Sequence, residues 1–206
     1  MKYNIILATQ SEIRRNLLKN TGIRFKAIKS DFDETQFQDA LNGKECSLKD
    51  AQDLVKNLSY EKAKNISDRY SKDLVIGCDQ TLFYKKRIFN KPVNYEESFK
   101  QLKDLSGENH KLITATTCVI ESKLIWSYVS VQDMNMRELS DEYIMNYIKE
   151  IGDNVFNILG GYEIEGKGIN LFESIGDDLF SIQGISILQL TKFLRKAGYI
   201  EWSKLA

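Results

Sequence analysis

Two short apolar runs, Ile5-Ile6-Leu7-Ala8 and Leu74-Val75-Ile76, constrain this chain most. Runs of this length, ending in polar or glycine residues, suit strands buried on both faces and are too brief for a helical stripe. Each is followed by helix signals. Residues 3–8 form a strand, and Ser11 then caps a helix that turns Ile13, Leu17 and Leu18 inward until Gly22. Ser47 caps a second helix from about Leu48 to Arg69, with Ala51, Leu54, Val55, Leu58, Ala63 and Ile66 as its apolar stripe. Residues 73–84 and 87–90 read as strands joined by Lys85-Lys86. Asn94 caps a helix with Phe99, Leu102 and Leu105 spaced three apart before Gly107. Residues 110–121 and 123–137 are β-rich and pair with each other. Ser140 caps a helix through Ile151, Gly160 to Gly168 form a glycine-rich loop, and a closing helix takes 186–197. Strands and helices alternate early and strands cluster later, which predicts an α/β fold with a mixed, curved central sheet flanked by helices.

At 206 residues the chain suits one domain spanning 1–206, or two lobes around one sheet. Twenty-nine basic residues balance twenty-nine acidic ones, so the broad positive field needed for nucleic acid or a membrane surface is missing. Any anion site is therefore local. No run approaches the ~18 apolar residues of a membrane span, and Ile5–Ala8 is too short for a signal-peptide core, so a soluble cytoplasmic protein is expected. Cys46, Cys78 and Cys118 make no C-x-x-C pair and read as buried free thiols. His110 is the sole histidine, which rules out multi-histidine metal sites and leaves one candidate base for a serine triad.

Three stretches could carry chemistry. In Ala8–Leu18, a helix starting at Ser11 aims free N–H groups and its positive dipole end above the turn, and Arg14 adds a planar fork suited to phosphate oxygens. The competing reading is an ordinary capped helix with solvated arginines. Asp79 is expected at the C-terminal end of a central strand, where α/β proteins place ligands, or else is a turn-forming aspartate. Lys62 and Lys91 are surface lysines or phosphate contacts; Pro92 restricts Lys91 to extended geometry. Cys78–Phe83 echoes the D-x-D-x-T-L opening of haloacid dehalogenase phosphatases, but Gly77 stands where their nucleophile would be, so a phospho-aspartate route is unavailable. Neither a Walker loop nor a dinucleotide fingerprint occurs.

Taken in order, LATQSEIRRNLL at 7–18, DFDE at 31–34, EKA at 61–63, IGCDQ at 76–80, NKP at 90–92, LSGENH at 105–110 and GGYEIEGKG at 160–168 resemble the Maf nucleotide pyrophosphatases over nearly the whole chain. The resemblance implies the two-lobed, inosine-triphosphatase-like version of this fold with a cleft between the lobes. It also implies hydrolysis of a nucleoside triphosphate between the α and β phosphates with Mg²⁺ or Mn²⁺, and a homodimer. On the matching positions it makes Asp79 the catalytic acid-base residue and Lys91 a phosphate contact. Ser11, Arg14 and Lys62 would neutralise phosphate charge, and Glu34 and Asp79 would hold the cation. Gln80 and Glu165 resemble the 7-methyl-GTP branch, where a carboxylate can accept from two guanine donors and face a cationic base. Ile13 departs from that branch's tryptophan, and Ile182-Gln183-Gly184-Ile185-Ser186 departs from V-G-L-P. The alternative is a non-catalytic nucleotide-binding regulator of cell division.

Overall fold

The computed structural model describes residues 4–34 and 44–200. Tyr3, the first residue of the expected opening strand, lies outside them. One open sheet runs through the described residues in the order β2-β1-β3-β5-β6-β7, with β4 paired to β3. Strand β1 (Ile5–Ala8) is buried throughout and lies parallel to both β2 (Lys26–Ile28) and β3 (Leu74–Tyr84). A strand flanked on both edges and covered on both faces has no solvent side, which is why its sequence does not alternate. From β3 onward the sheet is antiparallel: β4 (Arg87–Phe89), β5 (Asn109–Ile120), β6 (Lys123–Met136) and β7 (Phe172–Ser174).

The junction strand β3 holds the feature that matters most. On one edge it pairs with β5 from Val75 to Phe83, whereas on the other β1 ends opposite Gly77 and β4 begins only opposite Leu82. Residues 78–81 therefore have no strand partner on that edge among the described residues, and Asp79 lies in the middle of β3, paired with Ala115 of β5, not at the strand's C-terminal end or in a turn. Helix α1 (Glu12–Lys19), capped by the Ser11 hydroxyl accepting from the Arg14 N–H, leaves β1 beside this opening.

Helix α2 (Leu48–Ser67), closed at its start by a Ser47–Asp50 capping box, crosses one face of β3 and β5. It comes so close at Gly77 that a Cβ there would stand 2.0 Å from the Ser59 carbonyl oxygen and 2.9 Å from Ala63 Cβ. Alternation then points Asp79, two residues on, toward the same helix. The opposite face is covered in two parts. Around Leu7, Leu74 and Ile76, helix α6 (Ile187–Lys196) supplies Ile187, Leu190 and Leu194. Around Leu82, Leu112 and Met134, helices α3 (Tyr95–Leu105) and α4 (Asp141–Ile151) supply Leu102, Leu105, Ile144 and Tyr147. A short helix α5 (Leu179–Ile182) sits at the division between them.

The expected helices and long strands are present with ends shifted by one or two residues. Helix α2 stops at Ser67 because Arg69 and Tyr70 close on the Ile66 carbonyl. Ile13 does not join Leu18 in the core; it is half-buried against the cleft. The glycine-rich stretch 160–168 includes short 3₁₀ turns, with Gly160 and Gly161 at φ near +70° and Gly168 packed on the Glu163 main chain.

Candidate active site

The opening on the β3 edge leads into a cleft of about 980 Å³. Ser11, Arg14, Glu34, Lys62, Asp79, Gln80, Lys91 and Glu165 all line it, although they come from six separate parts of the chain. At its centre Lys62, the residue before Ala63 at the Gly77 crossing, places Nζ 2.5 Å from Asp79 Oδ1 and 2.9 Å from Glu34 Oε1. Asp79 Oδ2 accepts no hydrogen bond among the described residues, yet it is not a sealed, orphaned atom, so it faces the cleft.

Burial pushes the Asp79 carboxyl above the ordinary carboxylate range, against the opposing pull of Lys62 and Arg14. Burial alone would lower the Lys62 ammonium, but the Asp79 and Glu34 carboxylates outweigh it and hold Lys62 above its usual value. The result is a base with raised proton affinity next to a firmly charged cation. No cluster of three or more His, Cys, Asp or Glu suited to a metal occurs among the described residues. The two carboxylates that meet on the Lys62 ammonium are oxygen donors of the kind suited to a hard cation that takes its other oxygens from phosphate and water, as Mg²⁺ does.

Arg14 reaches across the opening, its Nη1 donating to the Cys78 carbonyl at 3.1 Å. The carbonyl is available because β1 has already ended. Behind the guanidinium lies Gly184, with φ +99° and so little space that a Cβ would stand 2.8 Å from Arg14 Nε. Sequence reasoning flagged this segment only as a departure; its fit against Arg14 requires a glycine and was missed. Lys91 is exposed at the rim, where lost hydration and the Arg14 and Lys62 charges lower its ammonium. Arg14, Lys62 and Lys91 thus face one cleft, whose lining also includes Lys29.

Gln80 points to the other face of β3. Its Nε2 donates to Thr114 Oγ1 at 2.9 Å and to the Ser181 and Ile182 carbonyls at 3.2 and 2.8 Å. Glu165 is exposed on the far wall; partial desolvation and the neighbouring Glu163 carboxylate raise its pKa. Glu163 also lines the cleft and was not anticipated, because its position depends on Gly168 folding back on its main chain. His110 does not line this cleft: it is buried behind Tyr162, bonded at 2.7 Å, and burial lowers its pKa to about 4. It cannot serve Ser11 as a triad base. Gly77 lies beneath Ser59 with no room for a side chain, which closes the dehalogenase reading on geometric grounds as well.

A model of the Maf-like protein family matches residues 4–197. The chain belongs to the Maf-like family. Among Maf-like relatives, a nucleoside triphosphate pyrophosphatase of Bradyrhizobium diazoefficiens is 40% identical over 97% of this chain and 96% of its own. A 7-methyl-GTP pyrophosphatase of Brucella abortus is 36% identical over 98% of this chain and all of its own. A solved dITP/XTP pyrophosphatase from Mycobacterium abscessus superposes at TM-score 0.38 with 11% identity, covering 66% of this chain and 75% of that one, too slight a likeness to argue from. Among the described residues of this Maf-like chain, no helix is long and apolar enough to cross a membrane.

Proposed function

We propose that this protein is a nucleoside triphosphate pyrophosphatase that cleaves between the α and β phosphates, releasing a monophosphate and pyrophosphate. The observation that carries the reading is the Lys62 ammonium bridging Asp79 and Glu34 in the cleft that Arg14 and Lys91 also face. Phosphoryl transfer asks a protein mainly for positioning and charge neutralisation. Arg14, Lys62, Lys91 and the α1 N-terminus beside Ser11 supply the neutralisation. Asp79 supplies a base whose Oδ2 faces the ligand space and can take a proton from an attacking water. Full-length relatives named as pyrophosphatases support the same reaction. The chain acts as one domain, in the cytoplasm, as a homodimer.

Glu34 and Asp79 would hold a Mg²⁺ or Mn²⁺ ion, which when bound would neutralise phosphate oxygens. Glu34→Gln is expected to raise the Mg²⁺ concentration needed for half-maximal rate by at least ~10-fold, the effect that even an outer partner of a metal ligand has. A titration with unchanged Mg²⁺ dependence would remove Glu34 from the ligand set. For the base, Glu165 and Glu163 put carboxylates on the far wall, favouring a purine edge rich in donors or a cationic 7-methylguanine.

A panel of nucleoside triphosphates, 7-methyl-GTP included, is the test. Phosphate is read with and without added inorganic pyrophosphatase, and with Mg²⁺ or EDTA. Release that needs both pyrophosphatase and Mg²⁺ is expected. No release with any nucleotide would favour a non-catalytic binder, and release without added pyrophosphatase would indicate a phosphatase.

A further inference from the structure

We propose that Gln80 is a positioning residue that sets the Arg14 guanidinium through the strap of residues 181–184, and does not read the base with its amide. Two of the oxygens that Nε2 meets are the backbone carbonyls of Ser181 and Ile182, which can only accept, so the NH₂ end must point there. The third, Thr114 Oγ1, donates its own proton to the same Ser181 carbonyl at 2.7 Å. That carbonyl also accepts from the Gly184 N–H at 3.0 Å. One buried oxygen therefore joins Gln80, Thr114 and the glycine that backs the guanidinium.

The strap is pinned further along as well. Ser181 Oγ donates to Asp178 Oδ2 and lies 2.8 Å from Ser186 Oγ, while the Ser186 N–H donates to Thr116 Oγ1 at 3.1 Å. With Ser181 and Ser186 held to the sheet, Gly184 at φ +99° cannot retreat, and Arg14 is confined between it and the Cys78 carbonyl. Gln80 sits directly after Asp79 on β3, so the residue that anchors the strap and the proposed base share one strand. Losing the Gln80 donors leaves the Ile182 carbonyl short of its partner, removes one of the three donors that hold the Ser181 carbonyl, and frees the strap to shift.

This inference rests on the reading of Arg14 as a polyphosphate contact. The test is calorimetric binding of inorganic tripolyphosphate, without divalent metal, to wild type, Gln80→Met, Arg14→Ala and the double variant. Gln80→Met is expected to weaken binding about tenfold and Arg14→Ala by at least as much, with the double no weaker than Arg14→Ala alone. In turnover, Gln80→Met should raise KM for every nucleotide alike and leave the order of base preference intact. Unchanged affinity, effects that multiply in the double variant, or a reordered base preference would overturn the inference while leaving the pyrophosphatase reading in place. Failure of the wild type to bind tripolyphosphate would overturn the inference, and the nucleotide panel run with Mg²⁺ would still decide the pyrophosphatase reading. Should Gln80→Met not fold, Gly184→Ala presses on the guanidinium from the strap side, and the same comparison with and without Arg14 decides the matter.

Discussion

Asp79→Asn is expected to lower kcat by about 10²–10⁴-fold, the usual contribution of a positioned general base. The fold should survive, because Lys62 keeps Glu34 as a counter-ion at 2.9 Å and a buried carboxylate is replaced by a neutral isostere. The pH profile gives a second reading. A base works only when deprotonated, and burial raises the Asp79 pKa. The wild-type rate should therefore fall on acidification at a higher pH than an ordinary carboxylate would set, and the residual rate of the asparagine variant should lack that limb. The stability sign is the reverse of a normal salt-bridged aspartate: a carboxyl with a raised folded pKa favours folding at low pH and loses that contribution as pH rises through the folded value. Wild-type kcat in the asparagine variant would end the base assignment.

Gly77→Ala is the second large expected effect, and it falls on stability. The added Cβ would meet the Ser59 carbonyl oxygen at 2.0 Å, and a helix main chain cannot yield as a side-chain tip can. Overpacking of this kind costs about 1–3 kcal/mol, and a main-chain obstacle argues for the upper end. For a chain of this size that amounts to roughly 6–12 °C in Tm. Lys62 rides on the helix that must move, so the variant should also lose activity below its melting point. A melting temperature equal to wild type would show that α2 accommodates the methyl group and that the crossing is not tight.

Local chemistry was legible in the sequence wherever it is local in space. Ser11, Ser47, Asn94 and Ser140 each cap the helix that follows, because a hydroxyl or amide oxygen beside three free N–H groups acts within one turn. The residues of the central cluster were legible through resemblance, not spacing: Glu34, Lys62 and Asp79 come from different segments, and nothing in their separation predicts a shared ammonium. Strands β2 and β7 and helix α5 were missed, since three or four residues carry no period. The hairpin turns at Lys85-Lys86 and Glu121-Ser122 adopt positive φ without glycine or asparagine, so the long strands on either side impose a geometry the turn residues do not spell. Gln80 was read for its place in a motif, while its partners lie 34, 101 and 102 residues downstream and could be found only in three dimensions.

The parallel half of the sheet has a kinetic consequence. Ile6 finds Lys26 on one edge early, but on the other Ile5 lies beside Leu74, so the first strand waits for a distant partner before it can be paired on both edges. Closure of such long loops precedes the contacts that reward it, which places refolding in the slow class of milliseconds to seconds. During synthesis on the ribosome, an apolar opening segment stays uncovered until its neighbours emerge, which makes this the stretch most exposed to chaperones and to misassociation.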